Sequence, residues 1–121
     1  MGFCFGAEYK NQKGNILYNK IINYISTNYK NIKSNNDISN ALGYHSFYLS
    51  NVLEHHSGLT LHRYIKKFRL TKATELLAFT DKSIAEISNE IGINNPNHFC
   101  NIFKEEYGIS PTAYRNTIKI I

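Results

Sequence analysis

Two short stretches of this 121-residue chain place side chains of similar character at matching intervals: Phe47, Ser50 and Asn51 in one, Asn97, Cys100 and Asn101 in the other. On a helix, positions i, i+3 and i+4 share a face. Each trio, continued by Glu54 or Lys104, therefore forms one outward stripe. The chemistry open to such a stripe is recognition. An Asn carboxamide can donate to N7 and accept from N6 of adenine in one bidentate contact, and an aromatic ring can pack on the methyl of thymine. Asn51, Asn97, Asn101 and Phe47 thus suit the edges of A·T pairs, with Ser50 and Cys100 as smaller neighbours on the same stripes. The oxygens of phosphates would be held at helix starts, where Ser46 and Asn95 stand, and by the cations Lys104 and Arg115.

Bond-making chemistry finds no comparable set of groups. The five histidines (His45, His55, His56, His62 and His98) suggest metal. Adjacent positions on a helix do not face each other, however, and no Cys/His spacing matches a zinc site. Cys100 has neither a partner thiol nor a clear activating charge, so packing suits it better than redox sensing. The Glu105-Glu106 pair reads as a solvated helix face. With no glycine-rich phosphate loop and no nucleophile triad, the expectation is no enzyme, no metal and no cofactor.

Composition sets the surroundings. Fourteen Lys and Arg against nine Asp and Glu give a net charge of +5, which favours a polyanionic partner. Hydrophobic content of 42% and aromatic content of 13% are those of a folded chain. Cys4 and Cys100 are the two cysteines, too few for a disulfide framework, so a reducing cytoplasm is expected. The first residues lack the basic and apolar regions of a signal peptide, and no apolar run approaches the ~18 residues of a membrane span.

The elements that must position the two trios are themselves repeated. Ile38-Ser39-Asn40-Ala41-Leu42-Gly43 returns about 49 residues later as Ile87-Ser88-Asn89-Glu90-Ile91-Gly92. Behind each copy follow matching apolar positions, Leu49, Val52 and Leu53 in the first and Phe99, Ile102 and Phe103 in the second. Solenoids need at least three copies to bury their stacked faces, so two copies indicate a duplicated pair. Short helix, glycine turn, second helix is the helix-turn-helix outline.

Periodicity predicts an all-α fold of about seven helices. Residues 1–14 read as a flexible arm or a non-native remnant, 15–58 as the first helix-turn-helix subdomain, 59–79 as a long linker helix and 80–121 as the second subdomain. In the linker, Leu61, Tyr64, Ile65, Phe68, Ala73, Leu76 and Leu77 are expected near one face. Ser83 with Glu86 forms a capping-box pattern, and Asn95-Pro96 a strong helix start. Lys104, Arg115 and Lys119 are expected to keep the second subdomain basic. At about 1.5 Å per residue the linker spans roughly 30 Å, close to the ~34 Å between successive major grooves on one face of DNA.

These residues bring the chain close to a known family. Arg69-Leu70 with Ala73 and Leu76-Leu77, then Ser83-Ile84-Ala85-Glu86-Ile87, Gly92, His98-Phe99, Phe103-Lys104, Tyr107-Gly108, and Ser110-Pro111 with Tyr114-Arg115, resemble the DNA-binding domain of AraC/XylS transcription regulators over about residues 15–118. The resemblance implies two helix-turn-helix units on one linker helix and a sequence-specific, nucleoid-associated regulator of transcription. It puts Phe47, Ser50 and Asn51, and Asn97, Cys100 and Asn101, on base-reading positions. Double-stranded DNA is the implied partner and RNA polymerase a second candidate, with any effector-binding domain absent from this chain. Members often carry Arg where this chain has Asn51 and Asn101, and a Phe-Lys pair in place of Leu53-Glu54. Arg favours guanine, so Asn moves the preference toward adenine. Glu54 would repel phosphates, which motivates a rival: a protein-interaction module on the same scaffold with weak DNA binding.

Overall fold

The computed structural model describes residues 15–118, and every regular element among them is an α-helix. In chain order these are α1 (Asn15–Asn28), α2 (Asn35–Leu42), α3 (Ser46–Ser57), α4 (Leu61–Phe79), α5 (Ile84–Glu90), α6 (Pro96–Tyr107) and α7 (Pro111–Ile118). The expected seven helices are present. The proposed N-terminal arm and Lys119 lie outside the described residues.

Local chemistry sets the helix starts. The Asp37 carboxylate accepts from the Lys33 and Ser34 N–H groups at 2.7 and 3.3 Å, which closes the front of α2. Helix α4 begins at Leu61 rather than Leu59 because Thr60 stands ahead of it, its Oγ1 accepting from the Arg63 N–H at 3.4 Å. Ser83 caps α5 as its pattern predicts: Oγ accepts from the Glu86 N–H at 3.1 Å, and the Glu86 carboxylate accepts from the Ser83 N–H at 2.8 Å. Asn95 caps α6 ahead of Pro96, its Oδ1 accepting from the N–H groups of Asn97 and His98 at 3.0 and 3.2 Å.

Two compact units share the chain. Among the described residues the first takes Asn15–Asn28 and Ile32–Ile65, the second Tyr29–Asn31 and Lys66–Ile118. In the first, Leu17, Ile21 and Ile25 of α1, Ile38 of α2, Leu49, Val52 and Leu53 of α3, and Leu61 and Ile65 of α4 are buried. In the second, Leu70, Ala73 and Leu77 of α4 pack with Ile87, Ile91, Ile93, Phe99 and Phe103. Phe99 meets Phe103 edge-on at 5.8 Å, and Phe103 meets Tyr114 at 5.6 Å. Each such side chain taken out of water contributes about 1.5–3 kcal/mol.

The linker departs from the single apolar face expected of it. Leu61 and Ile65 serve the first unit, while Leu70, Ala73 and Leu77 serve the second. Tyr64, Phe68 and Leu76, expected with them, are only half-buried. A helix that contributes to two cores needs two apolar sets, and one stripe cannot describe it. The division between units also falls inside the linker, at Ile65 and Lys66, and assigns Tyr29–Asn31 to the second unit.

Candidate nucleic-acid interface

The repeated Ile-Ser-Asn stretch builds the same turn twice. Ile38 and Ile87 are fully buried, anchoring α2 and α5. One position on, the serine hydroxyl closes the turn: Ser39 donates to the Tyr44 carbonyl at 2.6 Å, and Ser88 donates to the Ile93 carbonyl. In the second copy the Ile93 N–H also returns a bond to the Ser88 carbonyl at 2.9 Å. Gly43 and Gly92 carry the chain through the left-handed region at φ +81° and +91°, where a side chain would be strained. Surroundings separate the copies: Ser88 is fully buried, whereas the Ser39 bond is exposed.

After each turn comes a 12-residue helix, α3 or α6, that is buried along one side and open along the other. Leu49, Val52 and Leu53 of α3 face inward, leaving Phe47, Asn51, Glu54 and His55 exposed. Phe47 is 70% exposed, an unusual state for a phenylalanine, and Tyr44 beside it stacks at 5.7 Å on Tyr48. On α6, Phe99 and Phe103 face inward and Asn97, His98, Asn101, Lys104 and Glu105 are exposed. The base-contact candidates Phe47, Asn51, Asn97 and Asn101 thus occupy open helix faces. Cys100 is half-buried between Asn97 and Asn101.

Other candidates are already engaged. Ser50 is half-buried, and its Oγ accepts from the Leu61 N–H at 3.2 Å, tying α3 to the start of α4. Ser46 is the first residue of α3, but the cap is His45, whose Nδ1 accepts from the Phe47 N–H at 3.2 Å. That bond places the ring proton of a neutral His45 on Nε2. In the sequence His45 stood out only among the histidines weighed for metal. Asn95 holds two helix N–H groups through its oxygen. The Arg115 guanidinium donates to the carbonyls of Leu77 and Thr80 at 3.2 and 3.1 Å, so it braces the end of α4.

Charge follows the same reorganisation. Helix α3 has no Lys or Arg, and Glu54 is its one acid. On α6 the single cation is Lys104, followed by Glu105 and Glu106. Lys82 pairs with Glu90 at 3.4 Å. Arg115 keeps its charge while it donates to neutral carbonyls, so among the described residues Lys104 and Arg115 carry the basic character expected of the second subdomain. Among the described residues, no cluster of His, Cys, Asp and Glu is disposed to hold a metal ion, and no helix is long and apolar enough to cross a membrane.

This architecture has close counterparts. Residues 38–117 match a family profile described as a helix-turn-helix domain. An uncharacterized HTH-type transcriptional regulator, YisR of Bacillus subtilis (strain 168), is 34% identical over 95 residues, covering 78% of this chain and 33% of that protein. The C-terminal domain of the two-component response regulator yesN from Fusobacterium nucleatum superimposes with a TM-score of 0.75 at 31% identity, covering 80% of this chain and 95% of that one. The DNA-binding domain of AdpA, a global transcriptional factor in complex with a target DNA, has a TM-score of 0.80 at 16% identity, covering 85% and 93%, and so shares the fold. The chain spans about a third of the length of the curated relatives it matches first. With two serine-closed turns, each leading into a half-open helix, and a family match that embraces both, the chain belongs to the AraC-type helix-turn-helix family of DNA-binding transcription regulators.

Proposed function

We propose that this chain binds double-stranded DNA sequence-specifically in the bacterial cytoplasm, inserting α3 and α6 into adjacent major grooves to regulate transcription. The observation that carries the reading is the correspondence of open positions. Two helices that follow two like-built turns expose Phe47 and Asn51 on one, and Asn97 and Asn101 on the other. A recognition helix uses those N-terminal positions to reach base edges. Asn in place of a cation directs the contact toward adenine, and Phe47 toward the thymine methyl, so A·T-containing sites are preferred. Phosphates are held by Lys104, by the Ser46 N–H at the start of α3 and by the Asn95 side-chain amide N–H groups, since the Asn95 oxygen already holds the N–H groups of Asn97 and His98. Ser50, Cys100 and Arg115 join the contact only through edges their internal bonds and packing leave open.

One observation favours a second reading. Because α3 carries Glu54 and no Lys or Arg, the same scaffold could act through a protein partner such as RNA polymerase, with weak DNA binding. Selection from a random duplex pool, followed by binding at several salt concentrations, separates the two. The DNA reading expects an enriched A·T-containing site with two half-sites about one helical turn apart and affinity that falls as salt rises. Replacing Asn51 or Asn101 by Ala should cost about 1–3 kcal/mol and relax one base position. No enriched site, or selectivity untouched by both substitutions, would favour the protein-interaction reading.

A further inference from the structure

The three residues that follow α1 do not stay with it. Tyr29–Asn31 belong to the second unit, where the Tyr29 ring lies 5.3 Å from that of Phe68. The Tyr29 carbonyl receives two bonds from Arg69, one from Nε at 3.1 Å and one from Nη2 at 2.7 Å. Arg69 is half-buried, and that burial holds its guanidinium below its ordinary value. The turn before α6 approaches the same segment. A Cβ on Gly92 would stand 2.8 Å from the Lys30 oxygen and 3.0 Å from the Tyr29 oxygen. The matching Gly43 has the same left-handed backbone and nothing within 4 Å of its Cβ position.

We propose that Tyr29–Asn31, Arg69 and Gly92 form a strap that positions α6, with Arg69 as the positioning residue. The proposal rests on α6 as a DNA reader. Arg69 draws the Tyr29 carbonyl inward with a planar fork that a lysine ammonium cannot reproduce. The carbonyls of Tyr29 and Lys30 then wall the Gly92 turn, which the Ser88–Ile93 pair closes from within. Pro96 opens α6 shortly afterward, so the strap fixes the direction from which Asn97 and Asn101 are presented. A recognition constellation tolerates displacements of only about 0.5 Å. The first copy has no counterpart to the strap at Gly43, whose Cβ position meets nothing within 4 Å.

The test uses the full chain with Arg69→Lys, Gly92→Ala and, as control, Gly43→Ala. Gly43→Ala and Gly92→Ala share the left-handed backbone strain, and only the latter meets the strap. Dissociation constants are measured for the fraction of molecules active in DNA binding, on the selected duplex and on duplexes with either half-site scrambled. Arg69→Lys is expected to weaken binding to the intact duplex about tenfold, the scale of a lost hydrogen bond to a charged group. It should also erase the penalty for scrambling the second half-site, and Gly43→Ala should retain that penalty. A purely structural role would lower the active fraction and leave its Kd and half-site penalties unchanged, which would overturn the proposal. Amide hydrogen exchange gives a reading independent of DNA: residues 93–98 should exchange about tenfold faster in Arg69→Lys, with residues 44–49 unchanged. Unchanged exchange at 93–98 would refute the strap. Should the wild-type chain bind no duplex, the DNA reading fails and exchange alone decides the strap.

Discussion

Replacing Ser88 by Ala should destabilise the chain far more than replacing Ser39, although both serines close the same kind of turn. Ser88 is fully buried, and its hydroxyl bonds the Ile93 carbonyl where water cannot substitute. A carbonyl stripped of its donor in such a place costs about 1–3 kcal/mol. The loss of one oxygen atom leaves little cavity to add to that. The Ser39 hydroxyl reaches the Tyr44 carbonyl at 2.6 Å in an exposed bond. Water takes over there, and the cost falls to about 0.5–1 kcal/mol. At roughly 4–8 °C per kcal/mol for a domain of 60–100 residues, Ser88→Ala should lower Tm by about 5–20 °C. Thermal melts followed by far-UV circular dichroism, with urea titrations beside them, measure both variants. Equal losses, or a loss below about 0.5 kcal/mol for Ser88→Ala, would refute the argument that burial makes the second clasp the stronger.

Further outcomes follow from other parts of the molecule. Phe103→Ala removes a fully buried ring that meets Phe99, Tyr107 and Tyr114, and should cost about 3–5 kcal/mol in urea unfolding. Phe47→Ala, at a ring 70% exposed, should leave Tm within a degree or two while reducing affinity for the selected duplex. The Glu86 carboxyl is held below its ordinary value, first by the Ser83 backbone N–H and then by the Ser83 side chain. Its capping contribution is therefore fully present above the unfolded carboxylate value near pH 4 and is lost as pH falls through the depressed folded value. Amide protection at Ser83 and Glu86, measured against the intrinsic exchange rate, should fall only in that acid range, and Glu86→Gln should remove this dependence. Lys104→Ala should weaken binding to all duplexes alike and lower the salt slope by about one, and a change confined to one base position would contradict its role at phosphate.

Much of the fold was legible because helices announce themselves locally. Ser83 with Glu86 and Asn95 with Pro96 carry their capping chemistry within four residues, and the structure realises both. The open faces of α3 and α6 followed from spacing alone. What escaped were contacts made across long sequence intervals. Arg115 reads as a surface cation until the carbonyls of Leu77 and Thr80 take its guanidinium, and Ser50 reads as a base contact until the Leu61 N–H claims its oxygen. The linker misled for a related reason: it was assigned one apolar stripe, but its residues divide between two cores. His45 was within reach of local reasoning, since it directly precedes α3, yet in the sequence it was weighed only as a metal ligand.

Gly43 and Gly92 subject the two halves of the duplication to different rules of change. Open space around Gly43 means that mutational drift there meets only the left-handed backbone, a constraint that Asn or Asp can satisfy at modest cost. Gly92 faces two carbonyl oxygens as well, so a residue with any side chain must displace the main chain to survive. In a saturation library selected for folding, position 43 should retain a small polar repertoire and position 92 should collapse to glycine. The same turn, built twice, thereby holds one site free to vary and one that is not.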